Sequence, residues 1–477
     1  MSTPLHLYNT ESQTLELFTP QSTSRPVRMY SCGPTVYDYA HIGNLRSFVL
    51  ADILKRTLQF NGHHVKHTIN LTDFGHLTDD GDSGEDKIMK GLRREGLPIT
   101  IEAMRTLSDT YIDAFKNDVA ALRIIAPDTY SRASDFVFEQ IQLIKTLNQK
   151  GYTYETSDGV YFDISTFPTY GRLGKIDLQK LKSGARISVN ANKRHPADFA
   201  VWKKGLLGWN SPWGKGFPGW HIECSAMAIA TLGRQVDIHT GGIDLIHTHH
   251  NAEIAQSEAA TGKPFVQYWL HSEFITIDNT KVSKSLGNTI ALHHLEERGF
   301  SGDDYRYWLL TAHYRSPINF TFTALQSAKQ ALYRLKRHVY EDYATHKDGT
   351  ADQAYMDTFT TLINNDLDTP QAIALAWDVV HNTTLPAYTK RATLVAMDAV
   401  LGIGLSETPD AGARSLGILS ADAVPTPVQA LVDQREEARR TRDWEEADRL
   451  REAINLQGYL VEDTSAGPRI TLARSSR

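Results

Sequence analysis

Three short stretches of this 477-residue chain carry side chains of the types that handle phosphate or metal. The first is Arg28-Met29-Tyr30-Ser31-Cys32-Gly33-Pro34-Thr35-Val36-Tyr37-Asp38-Tyr39-Ala40-His41-Ile42-Gly43-Asn44. His41 and Asn44 stand one helical step apart and can donate to the same oxygen, while Gly43 lets a ligand approach the backbone closely. The second, His249-His250-Asn251-Ala252-Glu253, sets a histidine and a carboxylate four apart. On a helix both would project from one face, a spacing that suits a metal ion and equally a solvated pair. His250 is a neighbouring spare for His249. The third, Lys281-Val282-Ser283-Lys284-Ser285, offers two ammonium groups in a serine-rich loop, which reads either as a solvated turn or as a handler of phosphate.

The elements that must position these groups follow from periodicity. A short apolar strand at 27–30 breaks at Gly33-Pro34 and runs into Leu45, Phe48, Val49, Ala51, Leu54 and Leu58, which recur at helical spacing. A strand–loop–helix junction leaves the first N–H groups of the helix unpaired, a natural seat for phosphate. A second strand is expected at 64–71, which completes a strand–helix–strand unit of the nucleotide-binding kind. Between the halves of the sheet we expect an insertion at 95–220, with helices at 101–122 and 135–147 and a hairpin at 152–164 around Ser157-Asp158-Gly159. Trp202, Trp209, Trp213 and Trp220 crowd there and form either a hydrophobic wall or the lining of a substrate pocket. The sheet resumes at 235–239, followed by Thr240-Gly241-Gly242, a second place where a nucleotide could meet bare backbone. A strand at 269–277 then turns into the lysine-bearing loop.

Domains are expected at 1–94 and 221–300 (a Rossmann-type parallel-sheet domain in two halves), 95–220 (the insertion), 301–405 (a helix bundle), 406–427 (a linker rich in Gly, Ala, Ser and Pro) and 428–477 (a small α+β domain of two helices and a hairpin). The fold class is therefore α/β, followed by an α-helical bundle. Hydrophobic residues make up 41% and charged residues 22%, and the net charge of −6 gives no general attraction for nucleic acid. Any RNA contact must use local basic patches; Lys329, Arg334, Lys336 and Arg337 make one modest basic face, which reads plainly as a solvated surface. No apolar run reaches the ~18 residues of a membrane span, and a cytoplasmic location is expected. Two cysteines, Cys32 and Cys224, cannot build a disulfide framework and would ordinarily be buried small hydrophobes.

His41-Ile42-Gly43-Asn44 resembles the HIGH signature of the class I aminoacyl-tRNA synthetases, and Lys281-Val282-Ser283-Lys284-Ser285 resembles their KMSKS signature. The cysteines narrow the resemblance to the cysteine-specific branch. The resemblance implies an ATP-dependent ligase that converts L-cysteine to an adenylate and transfers it to tRNA(Cys). It implies one zinc ion held by Cys32, Cys224, His249 and Glu253 that selects the substrate thiolate, with Mg-ATP as co-substrate. His41, Asn44, Lys281 and Lys284 would be the catalytic residues. ATP would be bound by Pro34, Thr35, Val36, Tyr37, Asp38, Tyr39, Ala40, His41, Ile42, Gly43, Asn44, His239, Gly241, Gly242, Lys281, Val282, Ser283, Lys284 and Ser285. Trp220, Gly33 and Thr35 would contact the amino acid. The helical domain and the tail would read tRNA, with Trp444 and selected arginines stacking on bases, and a monomer is expected. Asn44 stands where the signature has its second histidine. Two other readings share the core: a mycothiol-type ligase joining cysteine to an aminosugar, and a non-catalytic tRNA-binding paralogue.

Overall fold

In the computed structural model, which describes residues 3–75, 86–176, 192–281, 289–343, 349–419, 423–464 and 467–472, the chain divides into two units. The first comprises Met1–Leu292, Ala312–Phe320 and Thr361–Thr369; the second comprises His293–Thr311, Thr321–Thr360 and Pro370–Arg477.

The first unit is built on a five-stranded parallel sheet. Its spatial order is Val266–Ser272, Val236–Gly242, Val27–Ser31, Val65–Leu71, Thr129–Arg132. Strand Val27–Ser31 sits in the middle, and the chain fills the sheet outward on one side with the first half and on the other with the second. The switch point lies between Val27–Ser31 and Val236–Gly242, which are paired in parallel through Met29 and Ile238. Ligands of open α/β sheets bind at the carboxyl ends of the strands at such a point. Val27, Met29 and Tyr30 are buried because a central parallel strand is covered on both faces.

The helix Ile42–Phe60 packs on the sheet with the positions recognised by periodicity: Leu45, Phe48, Val49, Ala51, Leu54 and Leu58 are all buried. The sheet also reaches into residues assigned by sequence to the insertion. Helix Ile101–Ala121 leads into strand Thr129–Arg132, which pairs in parallel with Val65–Leu71 and forms the sheet edge. That strand is only four residues long and carries no apolar alternation, so periodicity does not mark it. The separate antiparallel sheet of the insertion begins beyond it, in the order Thr153–Glu155, Gly159–Phe162, Phe199–Trp209, Gly216–Pro218. Trp202 is fully buried in its core, and Trp209 and Trp213 pack against the same cluster.

Strand Ile275–Ile277 is separate from Val266–Ser272. It pairs in parallel with Ile318–Phe320 and, across a two-residue turn, with Thr280–Lys281. Both turn residues, Asp278 and Asn279, have positive φ (48° and 61°), the backbone of a tight hairpin turn that Asp and Asn tolerate.

The second unit is mostly helical. Arg306, fully buried, donates from Nε to the Leu401 carbonyl, and Lys336 meets Asp303 at 2.6 Å. Toward the C-terminus, Thr426–Arg440 and Trp444–Leu456 pack beside the hairpin Tyr459–Thr464/Gly467–Leu472, around Val428, Val432, Ile454, Val461 and Ile470. Part of the expected linker is ordered: Pro409–Ser415 is a helix, and Leu419 donates its N–H to the Ile470 carbonyl. Thr408 caps that helix through Ala411 N–H, a local hydrogen-bond signal that a composition-based reading passes over.

Candidate metal and nucleotide site

Strand Val27–Ser31 delivers Cys32 to the switch point, where its N–H donates to the Thr240 carbonyl of the neighbouring strand. Gly33 follows, with its N–H on Asn70 Oδ1 at 2.7 Å; a Cβ here would lie 1.6 Å from the Asn70 carbonyl oxygen. Only a glycine lets the chain pass so close to the adjacent strand. Cys224 stands in the second turn of helix Trp220–Leu232. His249 lies in a single π-helical turn, Ile246–His250, that runs directly into the α-helix Asn251–Thr261 carrying Glu253. Such turns recur at functional sites because they re-aim consecutive side chains. Here His249 Nε2 lies 3.0 Å from Glu253 Oε1, while His250 Nε2 lies 3.3 Å from Cys32 Sγ.

Cys32, Cys224, His249 and Glu253 thus meet: one donor atom from each lies within 4.8 Å of all the others. All four are buried, and Cys32 Sγ is 3.6 Å from Glu253 Oε1. A second grouping shares two of these residues and adds His239 and His250. Burial pushes the Cys32 thiol well up, with the charges of Cys224 and Glu253 adding to it. Burial also pushes Cys224 up, but the hydrogen bond from Cys32 and the nearby His249 prevail and hold it at about 6. Burial opposes the charge on His249, yet Cys224 and Glu253 raise it to about 10. Against burial, His239 and His249 hold Glu253 at about 2. Two sulfur donors, one imidazole and one carboxylate in this proximity are a donor set that a tetrahedral divalent ion accepts, displacing the protons on Cys32 and His249.

Around this cluster stand residues that the sequence reading did not single out. His221 Nδ1 is 2.9 Å from His249 Nδ1, and His271 Nε2 is 2.7 Å from His250 Nδ1. Burial, reinforced by the neighbouring imidazoles, holds His221 and His250 well below the usual histidine range. Tyr30 is fully buried, and burial, then the two thiols and Glu253, push its hydroxyl well up. His239, assigned by sequence to the nucleotide, is fully buried with Nε2 on Glu253 Oε2 at 2.9 Å and its ring stacked on Trp269. It orients the carboxylate from behind, an arrangement typical of the outer shell of a metal ligand. A signal for His221 and His271 exists only in the fold, because one stands on helix Trp220–Leu232 and the other on strand Val266–Ser272.

Of the four crowded tryptophans, Trp220 stacks its ring on His249 at 4.3 Å between centroids. Gly241 lies where a Cβ would meet the His250 ring at 2.7 Å, and Gly242 where it would meet Asp244 Oδ1 at 2.3 Å.

The phosphate-type motif begins next to this cluster. Thr35 bridges Thr72, and the Val36 N–H donates to the Thr72 carbonyl, so the loop 34–41 extends from the sheet into the helix Ile42–Phe60. His41 caps that helix: its Nδ1 accepts the Asn44 N–H at 3.2 Å. An accepting Nδ1 puts the proton of a neutral ring on Nε2. Gly43 makes room for the ring, since a Cβ there would come 2.9 Å from His41 Cε1. Asn44 is exposed in the first turn. The Ile42 N–H donates to the Ile290 carbonyl, and His41 bridges Ala291, so the first turn meets the chain just beyond the lysine motif. Lys281 ends strand Thr280–Lys281; Val282, Ser283, Lys284 and Ser285 lie outside the described residues.

Comparison with known proteins bears on the whole chain. Residues 18–330 match the model of the class I tRNA synthetase (C) catalytic domain, and residues 421–467 match that of the cysteinyl-tRNA ligase anticodon binding domain. Cysteine–tRNA ligase 1 of Burkholderia lata is 45% identical over 474 residues, covering 98% of this chain and 97% of the relative. Cysteine–tRNA ligase of Treponema denticola is 40% identical over 492 residues, covering 96% and 98%. Among solved structures, Mycobacterium tuberculosis methionyl-tRNA synthetase with methionyl-adenylate aligns with a TM-score of 0.57 at 15% identity, over 83% of this chain and 95% of that one. The Agrobacterium radiobacter K84 LeuRS–tRNA–LeuAMS complex aligns with a TM-score of 0.60 at 12% identity, over 85% and 87%; both likenesses speak for the fold. The tail that an aminosugar ligase would not need carries the anticodon-binding match, the catalytic core carries the synthetase match, and the likeness runs nearly end to end. The chain therefore belongs to the cysteine–tRNA ligase family of class I aminoacyl-tRNA synthetases, which joins cysteine to tRNA(Cys) at the expense of ATP.

Proposed function

We propose that Cys32, Cys224, His249 and Glu253 hold one zinc ion and that this ion selects cysteine by its sulfur. The observation that supports the reading best is the meeting of these four donors, from three segments far apart in sequence, within 4.8 Å at the sheet switch point. Zinc there would take the substrate thiol as thiolate at neutral pH, a preference that a hydroxyl of nearly the same shape does not share. Shape alone separates such close analogues by roughly 1–3 kcal/mol.

The chain's own residues do the rest. His239 fixes Glu253, and Trp220 stacked on His249 fixes the imidazole plane. His41, through its Nε2 proton, and Asn44 would donate to the α-phosphate oxygens as the cysteine carboxylate attacks, helped by the positive end of helix Ile42–Phe60. Lys284, with Lys281 assisting, would follow the departing pyrophosphate, since a compact ammonium is a mobile point charge. Residues 34–44 with Gly241 and Gly242 would carry ATP, and Gly33 and Thr35 the amino acid. The same reading places the enzyme in the cytoplasm, where both thiols stay reduced.

Metal analysis of the purified protein, paired with ATP–pyrophosphate exchange, tests the proposal. We expect about one zinc per chain and exchange stimulated by cysteine with serine at least about 100-fold poorer. Equal stimulation by serine would remove sulfur as the selecting feature.

A further inference from the structure

Arg46 stands on the helix Ile42–Phe60, two residues beyond Asn44, and is only 4% exposed. Its guanidinium donates to four main-chain carbonyls. Nη1 reaches Glu273 at 2.9 Å and Phe274 at 2.8 Å; Nη2 reaches His313 at 3.1 Å and Ser316 at 2.6 Å. The first pair immediately precedes strand Ile275–Ile277, and the second pair precedes Ile318–Phe320. These two strands lie parallel to each other, and the first turns through Asp278-Asn279 into Thr280–Lys281. One side chain therefore ties the helix of the HIGN motif to both strands of the frame from which the lysine motif springs.

The frame is stiff where Arg46 grips it. Asp366 accepts from Tyr314 Oη at 2.6 Å and from Arg315 Nε at 2.7 Å, and its carbonyl meets His313 Nε2 at 2.9 Å. Next to Arg46, Ser47 Oγ meets Ser272 Oγ at 2.9 Å, fixing the end of the central sheet to the same helix. Beyond the lysine motif the chain returns to this helix through Ile42 N–H and the Ile290 carbonyl at 2.8 Å. The two chain ends that flank the motif are thus held by the first turn and a half of one helix. A planar fork with donors at fixed angles can span four oxygens from two segments; a lysine ammonium, with three donors on one atom, cannot.

The geometry points to Arg46 as a positioning residue for adenylate formation: it sets the spacing between His41 and Asn44 on one side and the strand pair ending at Lys281 on the other. This rests on the reading of both motifs as phosphate handlers. A misplacement of the order of 1 Å between groups that act on one phosphate chain loses about 100-fold in rate, which is the size of effect to look for.

The test uses the full-length, zinc-loaded protein with Arg46→Lys and Asp366→Asn, neither of which alters a metal ligand. For Arg46→Lys we expect zinc content and the KM for cysteine to stay within about twofold of the parent while kcat/KM for ATP in cysteine-dependent exchange falls about 30-fold or more. Combined with Lys281→Ala, the losses should fall short of additive, because Lys281 contributes little once its strand is misplaced. Asp366→Asn, which loosens the frame and leaves the guanidinium intact, should raise the KM for ATP about threefold to tenfold with cysteine binding unchanged. A folded Arg46→Lys with ATP parameters within about threefold of the parent overturns the proposal, as does a parallel loss of cysteine and ATP affinity or an unchanged ATP KM in Asp366→Asn. Failure of the underlying reading looks different: the parent itself would show no exchange, and both would fall together.

Discussion

At the scale of single residues, the cluster of Cys32, Cys224, His249 and Glu253 is where charge and burial leave least freedom. Cys224 is 1% exposed and its thiol is drawn down to about 6, so a serine there would present a neutral hydroxyl to His249 and Glu253. Cys224→Ser is expected to lose stoichiometric zinc and at least about 100-fold in cysteine activation, read by metal analysis and by exchange. Retention of zinc with full activity would show that the other three donors suffice. Asn44 is a smaller lever: Asn44→Ala should lower the exchange rate about tenfold, the order of one lost hydrogen bond, while Asn44→His keeps it. Rates equal to the parent for the alanine variant would take Asn44 out of the site.

The meeting of Cys32, Cys224, His249 and Glu253 was legible because two scarce thiols and an i, i+4 pair stand beside recognisable motifs. His239 was read as a nucleotide contact from its place before two glycines, and its hydrogen bond to Glu253 carried no signal in the sequence. His221 and His271 carried no local signal, since their meeting with His249 and His250 depends on helix and strand placement.

At the scale of elements, the decisive features are close approaches of backbone. Gly33 separates the end of strand Val27–Ser31 from Asn70 by less than a side chain. Gly33→Ala is therefore expected to destabilise the first unit by roughly 1–3 kcal/mol through overpacking. The same shift should displace Cys32, so thermal denaturation with and without added zinc is the measurement; a midpoint unchanged in both conditions would mean the loop relaxes freely. The π turn at Ile246–His250 was invisible to helical periodicity, which read one continuous helix from His249, yet it aims both histidines at the cluster. Strand Thr129–Arg132 escaped for the opposite reason, being too short and too polar to alternate. The long amphipathic helices Ile42–Phe60 and Ile101–Ala121 were legible almost to their ends.

At the scale of the whole molecule, the catalytic-domain match and the anticodon-binding match fall to different parts of the chain. Trp444 opens helix Trp444–Leu456 at 58% exposed, a large aromatic face turned to solvent within the segment matched by the anticodon-binding model. Stacking of a base on an aromatic ring contributes ~1–3 kcal/mol, so Trp444→Ala should lower kcat/KM for tRNA about tenfold while pyrophosphate exchange stays as in the parent. Charging unchanged by the substitution would place base recognition elsewhere.

Cys32 and Glu253 are 221 positions apart in the chain although their side chains touch. During synthesis at ~5–20 residues per second, the first thiol leaves the ribosome on the order of 10–40 s before the carboxylate it will meet exists. If the four residues hold zinc as proposed, loading waits until translation has passed the second half of the sheet, and a nascent chain arrested earlier carries an unprotected sulfur.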